Sequence, residues 1–469
     1  MSAILPGGTV GILGGGQLGR MLAMEAHRMG YRVGIFDPIP HCPGAQVADF
    51  HIQSEFTNGQ GLGDFVRQVD VVTIETELVP SALLADIEAT RATRPANQIL
   101  ALVQDRLLQR TFLEDHHFPQ TTFANVTDPA SLAQARNTVA FPGILKTRHS
   151  GYDGKGQIHI AEPGALTDAW QALHSAPCLL ESLVPFQKEL SIVLARGLDG
   201  DIRIFPLAEN VHQKNILHAT RVPAQVDENV HSRAEALAAS LAEKLHYCGV
   251  MAVEFFFLAD QTLLINEISP RPHNSGHFTW GGCVTSQFEQ HLRAICGLPL
   301  GDPSLLQPVL MVNLLGDLWQ HGNPHWEHLL MNPYVRLHLY GKEHPRPGRK
   351  MGHFLYFGDQ HQDVRYQSKE LLQKLGLKRS TNPDPTLKES QGTIPHIVPI
   401  HSECERAGSF LLWPFYSFLT SLSPDLHFLR RGVEQSGPVG TTVDRPANKQ
   451  RYSVLTDFSL NPDSTGIKS

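Results

Sequence analysis

The chain has 469 residues, 41% of them hydrophobic and 18% charged, with a formal net charge of −7. That length allows several domains with sizeable cores, and the charge excludes the broad basic field by which proteins hold nucleic acid. The six cysteines, Cys42, Cys178, Cys248, Cys283, Cys296 and Cys404, form no C-x-x-C pair, so neither a zinc cluster nor a disulfide framework is indicated and a reducing, cytoplasmic setting is expected.

No charged stretch followed by an apolar one opens the chain, so no secretory signal is expected. "TVGILGG" reads as a strand entering a glycine turn. "QLGRMLAMEAHRMG" reads as a helix, with Leu18, Met21, Leu22 and Met29 near helical spacing and a stop at Gly30. "YRVGIFDP" and "VDVVTIETE" are further strands, ending at Asp37 and Glu75. Residues 1–104 therefore read as βαβ units on a Rossmann-like parallel sheet, with Pro95 near the boundary. Such sheets bind ligands at the carboxyl ends of their strands, here the glycine turn, Asp37 and Glu75. Gly14, Gly16 and Gly19 have the G-x-G-x-x-G spacing of a dinucleotide turn, and Asp37 stands about where a ribose carboxylate belongs. An NAD-dependent oxidoreductase is thus one reading.

"NQILALVQDRLLQRTFLEDHH" reads as one helical stretch leading into residues 105–300, where antiparallel strands and a glycine-rich loop replace the βαβ pattern. Residues 301–377 read as a small β-rich segment, with strands in "VLMVNLL" and "VRLHLY" and a closing helix in "SKELLQKLGL" near Gly376. Residues 378–469 are rich in Pro, Ser, Thr and Gly without periodicity and read as an irregular or disordered tail. Within it, Ala407–Pro424 carries no charge over 18 residues, the lower limit for a membrane span. Pro414 and the serines there argue for an apolar patch instead. "HWEH", His325 to His328, reads as surface histidines.

Three motifs carry chemistry. In "ILKTRHSGYDGKGQ" a strand delivers Lys146, and Gly151, Gly154 and Gly156 alternate with Tyr152, Asp153 and Lys155. Such a backbone folds closely over phosphate oxygens, with the lysines supplying charge; a flexible hairpin with surface lysines is the plainer alternative. In "VEFFFLADQTLLINEISPRPHNSGH" two apolar strands flank Asp260-Gln261. A two-residue turn there pairs Ala259 with Thr262, and counting back pairwise puts Glu254 opposite Glu267. Facing carboxylates repel, so a cation between them is expected, Mg²⁺ being the natural one beside phosphates. Solvated glutamates in a loose register are the alternative. In "ESLVPFQKEL" Glu189 follows a turn at Pro185, where it could accept from ribose hydroxyls while the Ser182–Val184 backbone reads an adenine edge. A solvated linker acid is the commoner case.

In this order and spacing the three motifs resemble the ATP-grasp superfamily over residues 8–358. "GILGGGQLGRML", "KTRHSGYDGKGQ", "VPFQKELSIVLAR", "NEISPRPHNSGH" and "LHLYGK…RPGRKMGH" together are similar to the N5-carboxyaminoimidazole ribonucleotide synthetase family. The resemblance implies a mixed α/β and α+β fold: a Rossmann-like domain, a two-part ATP-grasp domain and a small β-rich C-terminal domain. It implies ATP-dependent carboxylation of 5-aminoimidazole ribonucleotide (AIR) by bicarbonate through carboxyphosphate, in purine biosynthesis. ATP and Mg²⁺ are the cofactors, and neither NAD nor biotin is expected. A homodimer and functional coupling to a downstream mutase are expected, with no nucleic-acid or membrane partner.

By the same resemblance, Arg106, Lys146, Gly151 to Gln157, Glu181, Ser182, Leu183, Val184, Glu189, His212, Asn266 and Glu267 surround ATP. Glu254 and Glu267 hold the metal. Tyr152, Asp153, Lys155, Arg271 and His273 are catalytic, with Arg271 facing the charge that develops on carboxyphosphate. Gly16, Gln17, Leu18, Glu75, Asn274 and Ser275 line the AIR site, and Lys342, Arg349 and Lys350 clamp its phosphate. Four features depart from the family pattern: Leu78 after Glu75-Thr76-Glu77, Arg110 in place of a common lysine, "FLYFGDQ" after "RKMGH", and the tail. Rival readings are formate-dependent glycinamide ribonucleotide transformylase, biotin carboxylase, or a binding protein that has kept the fold without catalysis.

Overall fold

The computed structural model describes residues 2–149, 156–320, 322–358 and 363–374. The tail 378–469, with its uncharged run, lies outside the described residues, as do Gly376 and Gly151 to Lys155. No described helix is long and apolar enough to cross a membrane.

Among the described residues, three sheets follow one another along the chain. The first contains β1 (Thr9–Leu13), β2 (Arg32–Phe36), β3 (Phe50–Ile52), β4 (Val71–Ile74) and β5 (Ala92–Thr93), in the order β3-β2-β1-β4-β5 and parallel throughout. Every residue of β1 and β4 is buried, as befits strands covered on both faces. Helix α1 (Gln17–Arg28) packs Leu18, Met21, Leu22 and Ala26 against one face, while Phe36, Phe65 and Leu84 lie in the core on the other.

The helical stretch expected after Pro95 is two helices, α2 (Asn97–Gln104) and α3 (Arg106–Asp115). Asp105 breaks it. Its backbone is extended, at φ −115° and ψ 111°, and its carboxylate accepts from the Leu107 N–H at 2.9 Å. An aspartate that can cap a new helix competes with continuing the old one. This one also binds the Arg148 guanidinium.

The second sheet is antiparallel, in the order β6-β9-β7-β8, from β6 (Phe123–Val126), β7 (Gly143–Thr147), β8 (Gln157–Ile160) and β9 (Cys178–Ser182). The third has nine strands: β10 (Phe186–Arg196), β11 (Ile202–Ile204), β12 (Ala208–Gln213), β13 (Ile216–Val222), β14 (Gly249–Leu258), β15 (Leu263–Ser269), β16 (Val309–Leu315), β17 (Val335–Leu339) and β18 (Lys350–Tyr356). Its path runs β15-β14-β10-β12-β13-β16-β18-β17, with β11 on β10. Strands from beyond residue 300 thus extend the central sheet, Val222 pairing with Val309. The closing helix spans Val364–Lys374, starting four residues before the expected Ser368.

The β14–β15 hairpin corrects one expectation and preserves its consequence. The loop has three residues, Ala259 to Gln261, closed by Leu258 N–H donating to Thr262 O (2.9 Å), with Gln261 at φ 65°. That moves the register by one, so Phe257 faces Leu263. A bulge at Asn266 then moves it back, and Glu254 does face Glu267.

Helix α4 (Gln287–Cys296) ties the first sheet to the third through His291, which is fully buried. Its Nδ1 accepts from Val250 N–H (3.0 Å), so Nε2 carries the proton and donates to Thr73 Oγ1 (2.8 Å). Burial pushes this imidazole down to about 3. Its folded value lies below the ordinary 6.5, so its contribution is complete above pH 6.5 and is lost as pH falls toward 3. Thr73→Val leaves a buried N–H without an acceptor. It should lower stability by about 1–3 kcal/mol in urea unfolding at neutral pH, with an unchanged m-value.

Candidate active site

The glycine turn between β1 and α1 is filled from within the chain. Glu75, just past β4, accepts from Gly16 N–H (2.9 Å) and Gly19 N–H (3.1 Å). The amides of a helix N-terminus favour an anion, and here a carboxylate supplies it. Gly14, at φ 97°, lets the chain turn beneath that side chain. Burial raises the Glu75 carboxyl to about 7, against the lowering effect of the two amides and Arg271. Asp37 accepts from Gly15 N–H (2.7 Å) and Ile39 N–H (2.7 Å). It is therefore engaged by its own loop and does not stand ready for a ribose, which removes the support for the NAD reading. The Leu18 side chain is buried in the core with Met21 and Leu22.

On the second sheet, Lys146 of β7 and Glu181 of β9 share a face. Glu181 Oε2 accepts from Lys146 Nζ at 2.5 Å, and Oε1 accepts from Arg110 Nε at 2.6 Å. Burial opposes the charge on Glu181, but the two cations prevail and hold its carboxyl down at about 2. Arg110 also donates to Ile265 O (3.0 Å), fastening α3 to β15. The adenine-edge expectation narrows here. Ser182 N–H already donates to Thr122 O (3.0 Å) and Leu183 N–H to Pro142 O (2.9 Å). Those backbone donors are engaged, and the exposed Leu183 side chain and Val184 remain. Arg106 N–H donates to Arg148 O (3.1 Å), at the base of the glycine-rich loop, and Thr147 N–H donates to Gly156 O (2.9 Å). Gly156 is at φ 70°, and Gln157 opens β8 opposite Lys146.

The third sheet gathers most of the remaining residues. Glu189 lies inside β10, not in a linker, and its Oε2 is 2.9 Å from His212 Nδ1. Burial works to lower the His212 value, yet the Glu189 hydrogen bond and charge raise it above the ordinary range. Glu254 is half-buried and Glu267 exposed. The Glu254 carboxyl is pushed up to about 7, first by burial and then by the charges of Glu267 and Glu189, with His212 and Lys350 acting against. Arg271 Nε donates to Glu77 Oε2 (2.7 Å), and the charges of Glu77, Glu75 and Glu267 hold its proton despite burial. His273 Nε2 is 3.6 Å from Glu254 Oε1. Burial, then Arg271 and Lys350, keep that ring well below the usual histidine range. Asn274 is buried, and neither side-chain amide atom has a partner among the described residues. Such a group marks a place for a ligand or water. Ser275 is fully buried, its hydroxyl engaged by His273 and Ser191.

Of the expected phosphate clamp, Lys350 on β18 reaches this centre, acting electrostatically on His212, Glu254 and His273. Lys342 Nζ donates to Lys350 O (2.8 Å). Arg349 turns onto its own loop, donating to His344 O (2.7 Å). Sequence reasoning assigned no role to Glu77 or Gln287. Glu77 is visible only as the second acid of "ETE"; its partner stands 194 residues away.

Most of the described chain has relatives. Residues 8–104 match the ribonucleotide synthetase preATP-grasp domain, 111–288 the ATP-grasp domain and 309–367 the phosphoribosylaminoimidazole carboxylase C-terminal domain. N5-carboxyaminoimidazole ribonucleotide synthase of Bacillus subtilis is 40% identical over 353 residues, which is 75% of this chain and 92% of that one. The chain belongs to the N5-carboxyaminoimidazole ribonucleotide synthase family. The Brucella melitensis synthase is 41% identical, over 75% of this chain and 97% of its own. A family member solved as its ADP complex has a TM-score of 0.74 at 40% identity, covering 80% of this chain and 98% of that one. The Aspergillus clavatus synthase, solved with ADP and AIR, has a TM-score of 0.71 at 29% identity, covering 79% and 98%.

Seating Glu75 over the glycine turn has a measurable cost when blocked. A methyl on Gly16 would fall 2.6 Å from Oε1 and 2.8 Å from Oε2 of Glu75. Gly16→Ala should swing that flexible carboxylate off both amides and lower stability by about 1–3 kcal/mol in urea unfolding. An unchanged midpoint would show that the carboxylate is not seated there.

Proposed function

We propose that the chain carboxylates AIR with bicarbonate at the expense of ATP, giving N5-carboxyaminoimidazole ribonucleotide, ADP and phosphate, as a step of purine biosynthesis. The observation that carries this reading is the meeting of Glu254, Glu267, Arg271, His273 and Lys350 around the third sheet, in a chain of this family. Joining a weak nucleophile to bicarbonate needs a phosphorylated carboxylate, carboxyphosphate, as the reactive species. Catalysis is then mostly positioning and charge neutralisation.

A divalent cation suits the facing carboxylates. They are hard oxygen donors, Glu254 is raised first by burial and then by the charge of Glu267, and Mg²⁺ prefers such ligands beside phosphates. Glu254 and Glu267 would hold it, and it would neutralise charge on the transferring phosphoryl group. The chain's own residues do the rest. Lys146, oriented by Glu181, faces the ATP phosphates. Arg271, oriented by Glu77, stabilises charge on carboxyphosphate. Lys350 and Lys342 attract the AIR phosphate, and Asn274 meets the substrate with its unused amide. Glu75 and the glycine turn form the floor of the AIR site. Gly151 to Lys155 cover the phosphates in this reading, with Tyr152 and Asp153 at the carboxylation site. A homodimer, a cytoplasmic location and product transfer to a downstream mutase come with the family resemblance.

The purified protein should release ADP from Mg-ATP and bicarbonate faster when AIR is added. Stimulation by glycinamide ribonucleotide plus formate instead would move the chain to the transformylase reading. Glu267→Gln, at an exposed position, should lower kcat about 10²-fold with the unfolding transition unchanged; near-normal turnover would remove the metal assignment.

A further inference from the structure

His273 is held on both its backbone and its ring. Its N–H donates to Gln287 Oε1 (2.9 Å), and its carbonyl accepts from Gln287 Nε2 (2.8 Å). These two bonds fix the Gln287 amide and seat His273 ahead of the short turn Asn274–Phe278. On the ring, Nδ1 accepts from Ser275 N–H (3.3 Å). A proton on Nδ1 would meet that amide hydrogen head-on, so Nδ1 carries none. The Ser275 hydroxyl, 2.9 Å from Nδ1, must then donate to it.

The same polarity runs back through the sheet. Ser275 Oγ accepts from Ser191 Oγ on β10 (2.9 Å), Ser191 Oγ from Asn210 Nδ2 on β12 (2.9 Å), and Asn210 Oδ1 from Thr220 Oγ1 on β13 (2.9 Å). All four residues are buried. Running the chain in reverse would require a proton on Nδ1, facing Ser275 N–H.

We propose that this buried hydroxyl–amide chain fixes His273 as the neutral tautomer protonated on Nε2, making it a hydrogen-bond donor in the reaction and not a base. Nε2 points toward the carboxylate centre, 3.6 Å from Glu254 Oε1. With Nδ1 engaged and Nε2 protonated, the ring has no lone pair with which to take the proton of the attacking amine. It can donate to an oxygen that gathers negative charge as the carboxyl group is transferred. Ser275, Ser191, Asn210 and Thr220 are positioning residues. The inference rests on the carboxylation reading for its chemistry, but the tautomer can be measured without substrate.

The full-length protein, labelled with ¹⁵N-histidine, should show a His273 ring protonated at Nε2 and bare at Nδ1, its signals identified by their loss in His273→Gln. An Nδ1-protonated ring overturns the inference. In AIR-dependent ADP release, His273→Ala should lower kcat about 10²–10³-fold, and His273→Gln, whose amide N–H reaches the Nε2 position, should recover most of it. Equal loss in both variants overturns the donor role. Thr220→Val should lower kcat several-fold with KM for ATP unmoved, and Thr220→Ser should restore it; a Val variant with wild-type kcat removes Thr220 from the chain of positioning residues and overturns the relay. If the wild-type ring is protonated on Nε2 and AIR never stimulates ADP release, the functional reading fails while the tautomer assignment holds.

Discussion

Glu254 and Glu267 face each other across β14 and β15, and their repulsion governs what surrounds them. Glu254 is half-buried and raised to about 7, so it gains from every cation brought near. The fold brings them from separate elements: His212 from β12, Lys350 from β18, and Arg271 from the loop after β15. Two of them are in turn held by an acid. Glu189 holds His212 and Glu77 holds Arg271. Acids and bases thus stand side by side around the facing carboxylates.

A second ionic cluster sits on the other antiparallel sheet. Arg110 and Lys146 share Glu181 deep in the protein. Burying three charges is costly, and replacing all three by apolar groups would not obviously destabilise the fold. The cluster makes better sense as an orienting device. It sets the Lys146 ammonium at the strand end and, through Arg110 and Ile265 O, couples that lysine to the strand carrying Glu267. Arg110 suits this, since a guanidinium reaches two acceptors from a rigid fork.

The parts legible in the sequence were those fixed by local chemistry. The parallel strands β1, β2 and β4 announced themselves as apolar runs, and α1 by its periodicity, whereas the short edge strands β3 and β5 carry no such run. The facing glutamates were reached by counting from a two-residue turn that does not exist. A three-residue loop and a bulge at Asn266 cancel, because neither Gln261 nor Asn266 carries a local mark strong enough to reveal its irregular backbone. The break at Asp105 was illegible because its strength comes partly from Arg148, a distant residue. That Glu75 itself fills the glycine turn was illegible for the same kind of reason. Spacing shows that something anionic can sit there, and only tertiary structure shows that Glu75 does.

The continuation of the third sheet beyond residue 300 bears on how the protein is made. Lys350 arrives on β18, and β16 covers the open edge of β13. While the ribosome is still adding residues before Val309, β13 presents unpaired backbone groups to its surroundings, and the facing carboxylates lack one of their cations. An exposed strand edge is a template for wrong partners. The nascent chain therefore passes through a window, closed only when β16 and β18 dock, in which it is both sticky and incomplete at its reactive centre.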